Sequence, residues 1–197
     1  MITQSSRSYP RALQIADGEV EVRRMTAADG AGVLAFAQEL PAHDLLFLPR
    51  DITQPKVLSA WVQEIERGTI ISLLATRDRR VHGCAAIVRD ELSWSAHVGE
   101  LRVVVSRDMR GTGLGRSLIQ ECFALALSLG MEKLVAQMTV DQRGAIAVFE
   151  SLGFRGEALL RNHVKDRSGN THDLVILSHD VARFQAQMAA YGLPEAL

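Results

Sequence analysis

The amino-acid sequence predicts a single α/β domain. Three observations carry that prediction. Apolar stretches of strand length alternate along the chain with stretches of helical period, instead of falling into separate halves. The β-branched run Val103-Val104-Val105 leads into a glycine loop, Arg110-Gly111-Thr112-Gly113-Leu114-Gly115, which opens a helix. That helix is the most strongly patterned segment of all. Leu114, Leu118, Cys122, Leu125 and Leu129 step by 4, 4, 3 and 4 residues, the spacing of one helical face.

Taken in order, residues 1–17 lack periodicity and read as a loose arm. From Glu19 to Met25, Val20 and Val22 alternate with Glu21 and Arg23, the pattern of an edge or half-buried strand. Thr26 with Asp29 three residues on is a helix start related to the capping box. Val33, Phe36, Ala37 and Leu40 follow at helical spacing, and Pro41 ends the run. Ala42–Asp51 carries Leu45, Leu46, Phe47 and Leu48 in a loop, and two readings stay open: packing onto the core, or a wall of a substrate site.

A second helix spans Thr53–Arg67, with Pro55 in its first turn and Gly68 beyond its end. Thr69–Thr76 and Val81–Arg89 read as a hairpin around Arg77-Asp78-Arg79-Arg80, with Gly83 marking a bulge or a close backbone approach. Ala96–Ser106 is a longer strand and Lys133–Met138 a short buried one. Gln142–Leu152 reads as a helix capped by Asp141, with Ala145, Val148, Phe149 and Leu152 inward and Gly153 beyond its end. Arg155–Lys165 and Thr171–Ser178 make a last hairpin, and Val181–Tyr191 has helical character. The expected division is an arm over 1–18, one domain over 19–178 and a tail over 179–197.

Composition narrows the function. A net charge of −1, from 22 basic and 23 acidic residues, argues against nucleic acid or an anionic membrane as partner, since both select a basic surplus. No apolar run approaches the roughly 20 residues that span a bilayer. The N-terminus has no apolar signal core, and the two cysteines, Cys84 and Cys122, lie in apolar periodic segments as free thiols would. The expected compartment is the cytoplasm. The six histidines show no zinc spacing with cysteine, so no metal site is expected.

The glycine loop points to a phosphate. Amides at a helix start have no intrahelical acceptor, and the helix dipole adds positive charge there. Glycine lets the backbone approach an anion closely. Arg107, Arg110 and Arg116 add charge nearby. A Walker loop requires Lys-Ser/Thr after its last glycine, and Arg116 follows Gly115 instead. The Gly-x-Gly-x-Gly spacing, after several strands, also differs from the Rossmann pattern.

Arg110-Gly111-Thr112-Gly113-Leu114-Gly115 fits the Arg/Gln-x-x-Gly-x-Gly/Ala motif of the GNAT acetyltransferases, and Leu152-Gly153-Phe154 fits the end of that family's next motif helix. Glu100–Phe154 therefore resembles this family, and the flanking order of elements extends the resemblance over residues 19–178. The resemblance implies a GNAT fold, with a mixed sheet of about six or seven strands flanked by about four helices. It implies acetyl-CoA as co-substrate, with no metal, and a primary amine as acceptor. Homodimers are frequent among such proteins. Val103, Val104 and Val105 would bind the pantetheine arm through their backbone. Arg110, Gly111, Thr112, Gly113, Leu114, Gly115 and Arg116 would hold the diphosphate, with Gln142 and Phe149 also at the coenzyme. Glu100 matches the place of the catalytic base, His97 is a weaker candidate, and an amide near Val103 or Val104 would serve the oxyanion.

Two positions depart from the pattern. Gln142 stands where many relatives have asparagine, and Phe149 where many have the tyrosine that protonates the leaving thiolate. A thiol with a pKa of about 8.5 leaves with little help, so the departure touches mechanism more than binding. The expected acceptor walls are Leu45–Asp51 and the last hairpin, including His163 and Asp173. A non-catalytic acyl-CoA sensor and a nucleotide enzyme are the rival readings.

Overall fold

The computed structural model describes residues 7–190. Strand β2 (Gly18–Arg24) does what its alternation dictates: Val20 and Val22 are buried while Glu19 and Glu21 face solvent. It is not an edge strand. Arg11–Ile15, assigned by sequence to a loose arm, forms strand β1 and pairs antiparallel with β2, Arg11 opposite Val22. Leu13 and Ile15 pack at the core margin while Ala12 and Gln14 are exposed, so an alternation exists but spans five residues. Side chains from the start of the chain converge on Glu121, a carboxylate buried in a helix of the domain. Arg7 Nη1 lies 2.5 Å from it, the Tyr9 hydroxyl donates to it at 2.8 Å, and Arg11 Nη1 is 3.4 Å away. Burial, and then that hydrogen bond, push the Tyr9 hydroxyl well above its usual pKa.

Helix α1 (Gly30–Glu39) follows a short 3-10 turn over Ala27–Asp29. The Thr26 N–H donates to the Asp29 carboxylate at 2.8 Å, closing the predicted helix start. Helix α2 (Pro55–Arg67) starts on Pro55 and ends on Gly68, whose φ of 78° satisfies the C-terminal turn. Strands β3 (Ile70–Arg77) and β4 (Arg80–Val88) are joined by Asp78 and Arg79, both at positive φ, the two-residue turn suited to twisted strands. Both readings of Gly83 hold. The register slips between Ala75 and Thr76, leaving His82 as the extra residue of β4. A Cβ on Gly83 would also lie 2.8 Å from Leu118 Cδ1.

Strand β5 (Val98–Val105), helix α3 (Leu114–Ser128) and strand β6 (Lys133–Thr139) follow, then helix α4 (Arg143–Ser151), the hairpin β7 (Arg155–Lys165) and β8 (Thr171–Asp180), and helix α5 (Val181–Ala190). Tyr191 lies outside the described residues. Together the strands form one sheet in the order β1-β2-β3-β4-β5-β6-β8-β7, with β5 and β6 the parallel pair. The sheet therefore has eight strands and, among the described residues, five helices flank it, against the six or seven strands and four helices expected.

Each face of the sheet has its own core. Leu73, Ala85, Ile87 and Leu101 pack against Leu114, Leu118 and Cys122 of α3. Leu74, Cys84 and Val104 point the other way and pack with Val33, Phe36, Leu45, Phe47 and Leu58. The side-chain alternation of strands puts neighbouring residues into these two cores. Two expectations about α4 are corrected. Gln142, not Asp141, is its N-cap, because the Asp141 carbonyl already accepts the Arg143 N–H at 2.8 Å. Ala145 is exposed, and Ile146 turns inward in its place.

Candidate active site

The parallel pairing of β5 and β6 runs from Val98 opposite Lys133 to Leu101 opposite Ala136, and stops there. β5 stays paired with β4 as far as Val105, and β6 with β8 as far as Thr139. The two central strands therefore diverge. Arg102–Val105 presents one backbone edge to a wedge in the middle of the sheet. Such an edge offers amides and carbonyls to any extended chain lying in the wedge. Val104 faces the α1/α2 side, while Val103 and Val105 face α3.

At the end of β5 the chain turns through Arg107–Met109 into the glycine loop. Gly111 has φ of 78° and Gly113 φ of 92°, and a Cβ at either would meet nothing within 4 Å. Glycine is thus required there for backbone conformation, not for space. Gly113 caps α3, and its carbonyl takes the first helical bond, from the Ser117 N–H at 3.0 Å. The amides of Gly111, Gly113, Gly115 and Arg116 have no partner among the described residues. Thr112 is used to hold the loop: its hydroxyl donates to the Met109 carbonyl at 2.7 Å, and its own carbonyl accepts the Ala16 N–H at 2.9 Å. A cup of free N–H groups at the positive end of α3 is the geometry that binds a phosphate.

The arginines divide. Arg116 Nη1 donates to Ser151 Oγ of α4 at 2.8 Å, bridging the helices that flank the wedge. Arg110 turns away from the loop and pairs with Asp44, in the short 3-10 turn Ala42–Leu45. Arg107 is exposed.

Glu100 lies on β5 beside the point where the wedge opens. Both its oxygens are engaged by Arg102, at 2.8 and 3.0 Å. His97 is exposed and precedes β5, at the end of the strand away from the glycine loop. Gln142 is half-buried at the start of α4. Phe149 is buried, its ring edge-on to Phe154 with centroids 5.0 Å apart. Tyr9 cannot stand in for the tyrosine missing at 149, because its hydroxyl is engaged by Glu121.

On the α1/α2 side of the sheet a cavity of about 500 Å³ opens, floored by Cys84, Ala86, Arg102 and Val104. Val33, Phe36 and Trp61 form its apolar walls, and Arg50, Glu64, Arg89 and Asp90 bring charge to it. Leu45 and Phe47 belong to the core, while Leu48, Pro49 and Arg50 line the cavity. His163 and Asp173 do not line it; His163 is exposed, and Asp173 accepts the Asn162 N–H at 2.8 Å. Burial pushes the Cys84 thiol up to about 12, which leaves it protonated and unreactive. Sequence reading missed Trp61 and Arg102. Trp61 carries no motif, but Arg102 had a signal: two residues beyond Glu100 on a strand lies on the same face.

Three histidine and aspartate side chains also meet here although sequence groups none of them. His43, Asp141 and His172 place ligand-type atoms within 4.8 Å of one another. The expectation of no metal site rested on spacing along the chain, which does not register residues brought together by three separate segments.

Residues 38–154 match the family model described as the acetyltransferase (GNAT) family. A putative phosphinothricin acetyltransferase of Bacillus subtilis, YwnH, is 28% identical over 83 residues, 42% of this chain and 50% of that protein. The match thus spans half the length of this curated relative. The ribosomal-protein-alanine N-acetyltransferase of Brucella melitensis shares the fold with a TM-score of 0.69 at 24% identity, over 81% of this chain and 98% of that one. So does a phosphinothricin acetyltransferase of Sinorhizobium meliloti, solved with acetyl-CoA, with a TM-score of 0.69 at 19% identity over 82% of this chain and 88% of that one. Among the described residues no helix is long and apolar enough to cross a membrane. The family match covers more than half of the chain and contains both the diverging strand and the glycine loop, so the chain belongs to the acetyltransferase (GNAT) family.

Proposed function

We propose that the protein is an acetyl-CoA-dependent N-acetyltransferase that moves the acetyl group directly onto a primary amine. One observation carries the reading. The free backbone edge of Arg102–Val105 leads into a cup of unpartnered amides at Gly111, Gly113, Gly115 and Arg116. An extended amide-bearing arm ending in a diphosphate satisfies both at once. The sequence departures at Gln142 and Phe149 leave this edge and cup intact.

The reaction needs five things of the chain. Val103, Val104 and Val105 hold the pantetheine arm as an added strand, and an amide near Val103 or Val104 donates to the thioester oxygen as negative charge develops. The glycine loop and Arg116 fix the diphosphate. The cavity floored by Val104 takes the amine. Glu100, directly or through water, removes the proton that the amine loses as its nitrogen bonds to the acetyl carbon and the carbon–sulfur bond breaks. The thiolate leaves as such or takes a proton from water. To act, Glu100 must loosen from Arg102, and amine entry beside Arg102 provides the occasion.

The cavity fits a small amine with an apolar body better than a polycation, because its walls are apolar and Arg50, Arg89 and Arg102 outnumber Glu64 and Asp90 there. The relatives' names suggest phosphinothricin-like amino acids and N-terminal alanine peptides for the acceptor panel. Cytoplasmic location and homodimer formation belong to the same proposal; the buried free thiols Cys84 and Cys122 fit a reducing compartment. The experiment is an amine panel with acetyl-CoA, following thiol release, alongside calorimetry of acetyl-CoA binding. Turnover with at least one amine supports the proposal. Binding without turnover across the panel replaces it with the non-catalytic acyl-CoA sensor, which Phe149 and the paired Glu100 favour. No binding at millimolar acetyl-CoA removes both.

A further inference from the structure

The turn Ala42–Leu45 is tied to both arms of the wedge. Asp44 pairs with Arg110, just past β5, and His43 Nε2 is 2.8 Å from Oδ2 of Asp141, just past β6. His172, near the start of β8, completes the cluster, its ring edge-on to that of His43 with centroids 5.0 Å apart. One ligand-type atom of each residue lies within 4.8 Å of the other two. Behind His172, Asp166 Oδ2 is 3.1 Å from its Nε2. Asp166 is itself fixed by the N–H groups of Ser168 and Asn170 and by the Asn170 amide. Acetyl transfer as described above uses none of these side chains.

We propose that His43, Asp141 and His172 form a binding site for a divalent transition-metal ion of the zinc class, with Asp166 orienting His172. Two imidazoles and one carboxylate are a donor set that suits zinc, cobalt, nickel or copper, with a fourth position left to water. Magnesium and calcium select oxygen donors and are disfavoured. A carboxylate behind a ligating histidine fixes its tautomer and ring orientation, which is the role of Asp166. Metal–ligand bonds of about 2.0–2.2 Å place tetrahedral ligand atoms about 3.3 Å apart. The His43–Asp141 contact must therefore open slightly and the wider separations close. Side-chain rotation achieves this, because His43 and Asp141 are 36% and 55% exposed and not locked by packing. A bound ion would clamp the turn, the β6–α4 corner and β8 together across the wedge mouth.

The test uses the untagged full chain, stripped with a chelator and dialysed against Zn²⁺, Co²⁺ or Mg²⁺. One Zn²⁺ per chain is expected. Co²⁺ should give the strong visible absorption of a low-coordinate site, bleached by Zn²⁺, while Mg²⁺ should not compete. His172→Gln and Asp141→Asn should each weaken Zn²⁺ binding at least about 100-fold, and Asp166→Asn about 10- to 100-fold. His97→Gln, exposed and outside the cluster, should leave Zn²⁺ binding as tight as in the parent chain. Binding below one equivalent, binding unaltered in His172→Gln, or equal competition by Mg²⁺ would leave the cluster a hydrogen-bonded network and overturn the site. The cobalt spectrum is read on the unmutated chain, so it stands even if a variant misfolds. Neither measurement involves acetyl-CoA, so failure here leaves the acetyltransferase reading untouched.

Discussion

Glu100 and Arg102 form the side-chain pair on which the proposed chemistry turns. Both carboxylate oxygens of Glu100 are held by the guanidinium, so the proposed base is oriented but also occupied. Glu100→Gln keeps the shape and removes the basicity. It should lower kcat/KM about 10²- to 10⁴-fold; full activity across the pH range would dismiss the base role. A second carboxylate acts on stability. Arg23 grips Asp29 at 2.6 and 2.9 Å and, with Thr26, holds its pKa down to about 2. The unfolded chain, with the ordinary value near 3.8, binds the proton first. The stabilisation is therefore complete above that value and fades as pH falls towards 2. It amounts to about 1–2 kcal/mol. Asp29→Asn should lose that amount in urea melts at pH 7 and nothing further at pH 2.

At the scale of elements, the junction of β5 with α3 is the unit that matters. The strand ends with a free edge, the loop turns on two glycines of positive φ, and the helix begins with amides that lack acceptors. Each part prepares the next, and the loop is held in place by Thr112 and Ala16. A side chain at Gly113 has space but not the conformation. Gly113→Ala costs about 1–2 kcal/mol in the left-handed region. The loop relieves that strain by turning its amides out of line. Steady-state kinetics should show KM for acetyl-CoA raised about tenfold, with kcat at saturating coenzyme nearly unchanged. An unaltered KM would mean that the diphosphate does not sit on this loop.

Over the whole molecule, stability depends on joints between distant segments. One is Glu121, buried in α3 and met by residues from the beginning of the chain. The other is His179, packed edge-on against Phe123, Phe154 and Phe184 where β8, α3, α5 and the turn after α4 meet. Burial lowers the pKa of His179 below its usual 6.5. The folded protein therefore takes up this proton less readily than the unfolded chain. Stability should fall as pH drops from 6.5 towards the folded value, and be unaffected by this group above 6.5. His179→Phe should flatten that part of the profile in thermal melts between pH 7 and 5. A variant with the same slope as the parent would place the acid-sensitive group elsewhere.

Most of the elements were legible because their signals are local. The period of the α3 leucines, the Gly68 and Gly153 stops and the turn of the β3–β4 hairpin are each fixed by neighbours within a few residues. The motif pair Arg110–Gly115 and Leu152–Phe154 was legible for the same reason, and the family match agrees with it. Strand β1 was not, since five residues give too short an alternation and its pairing with β2 and the contacts of Arg7, Tyr9 and Arg11 with Glu121 supply what holds it. The sequence alone determined the order of elements from β2 onward and the glycine loop that opens α3. Only the tertiary structure decided where β5 and β6 part, which side of the sheet holds the cavity, and that His43, Asp141 and His172 meet. Those are relations between residues far apart in the chain, set by packing two cores on opposite faces of one twisted sheet, and no local pattern encodes them.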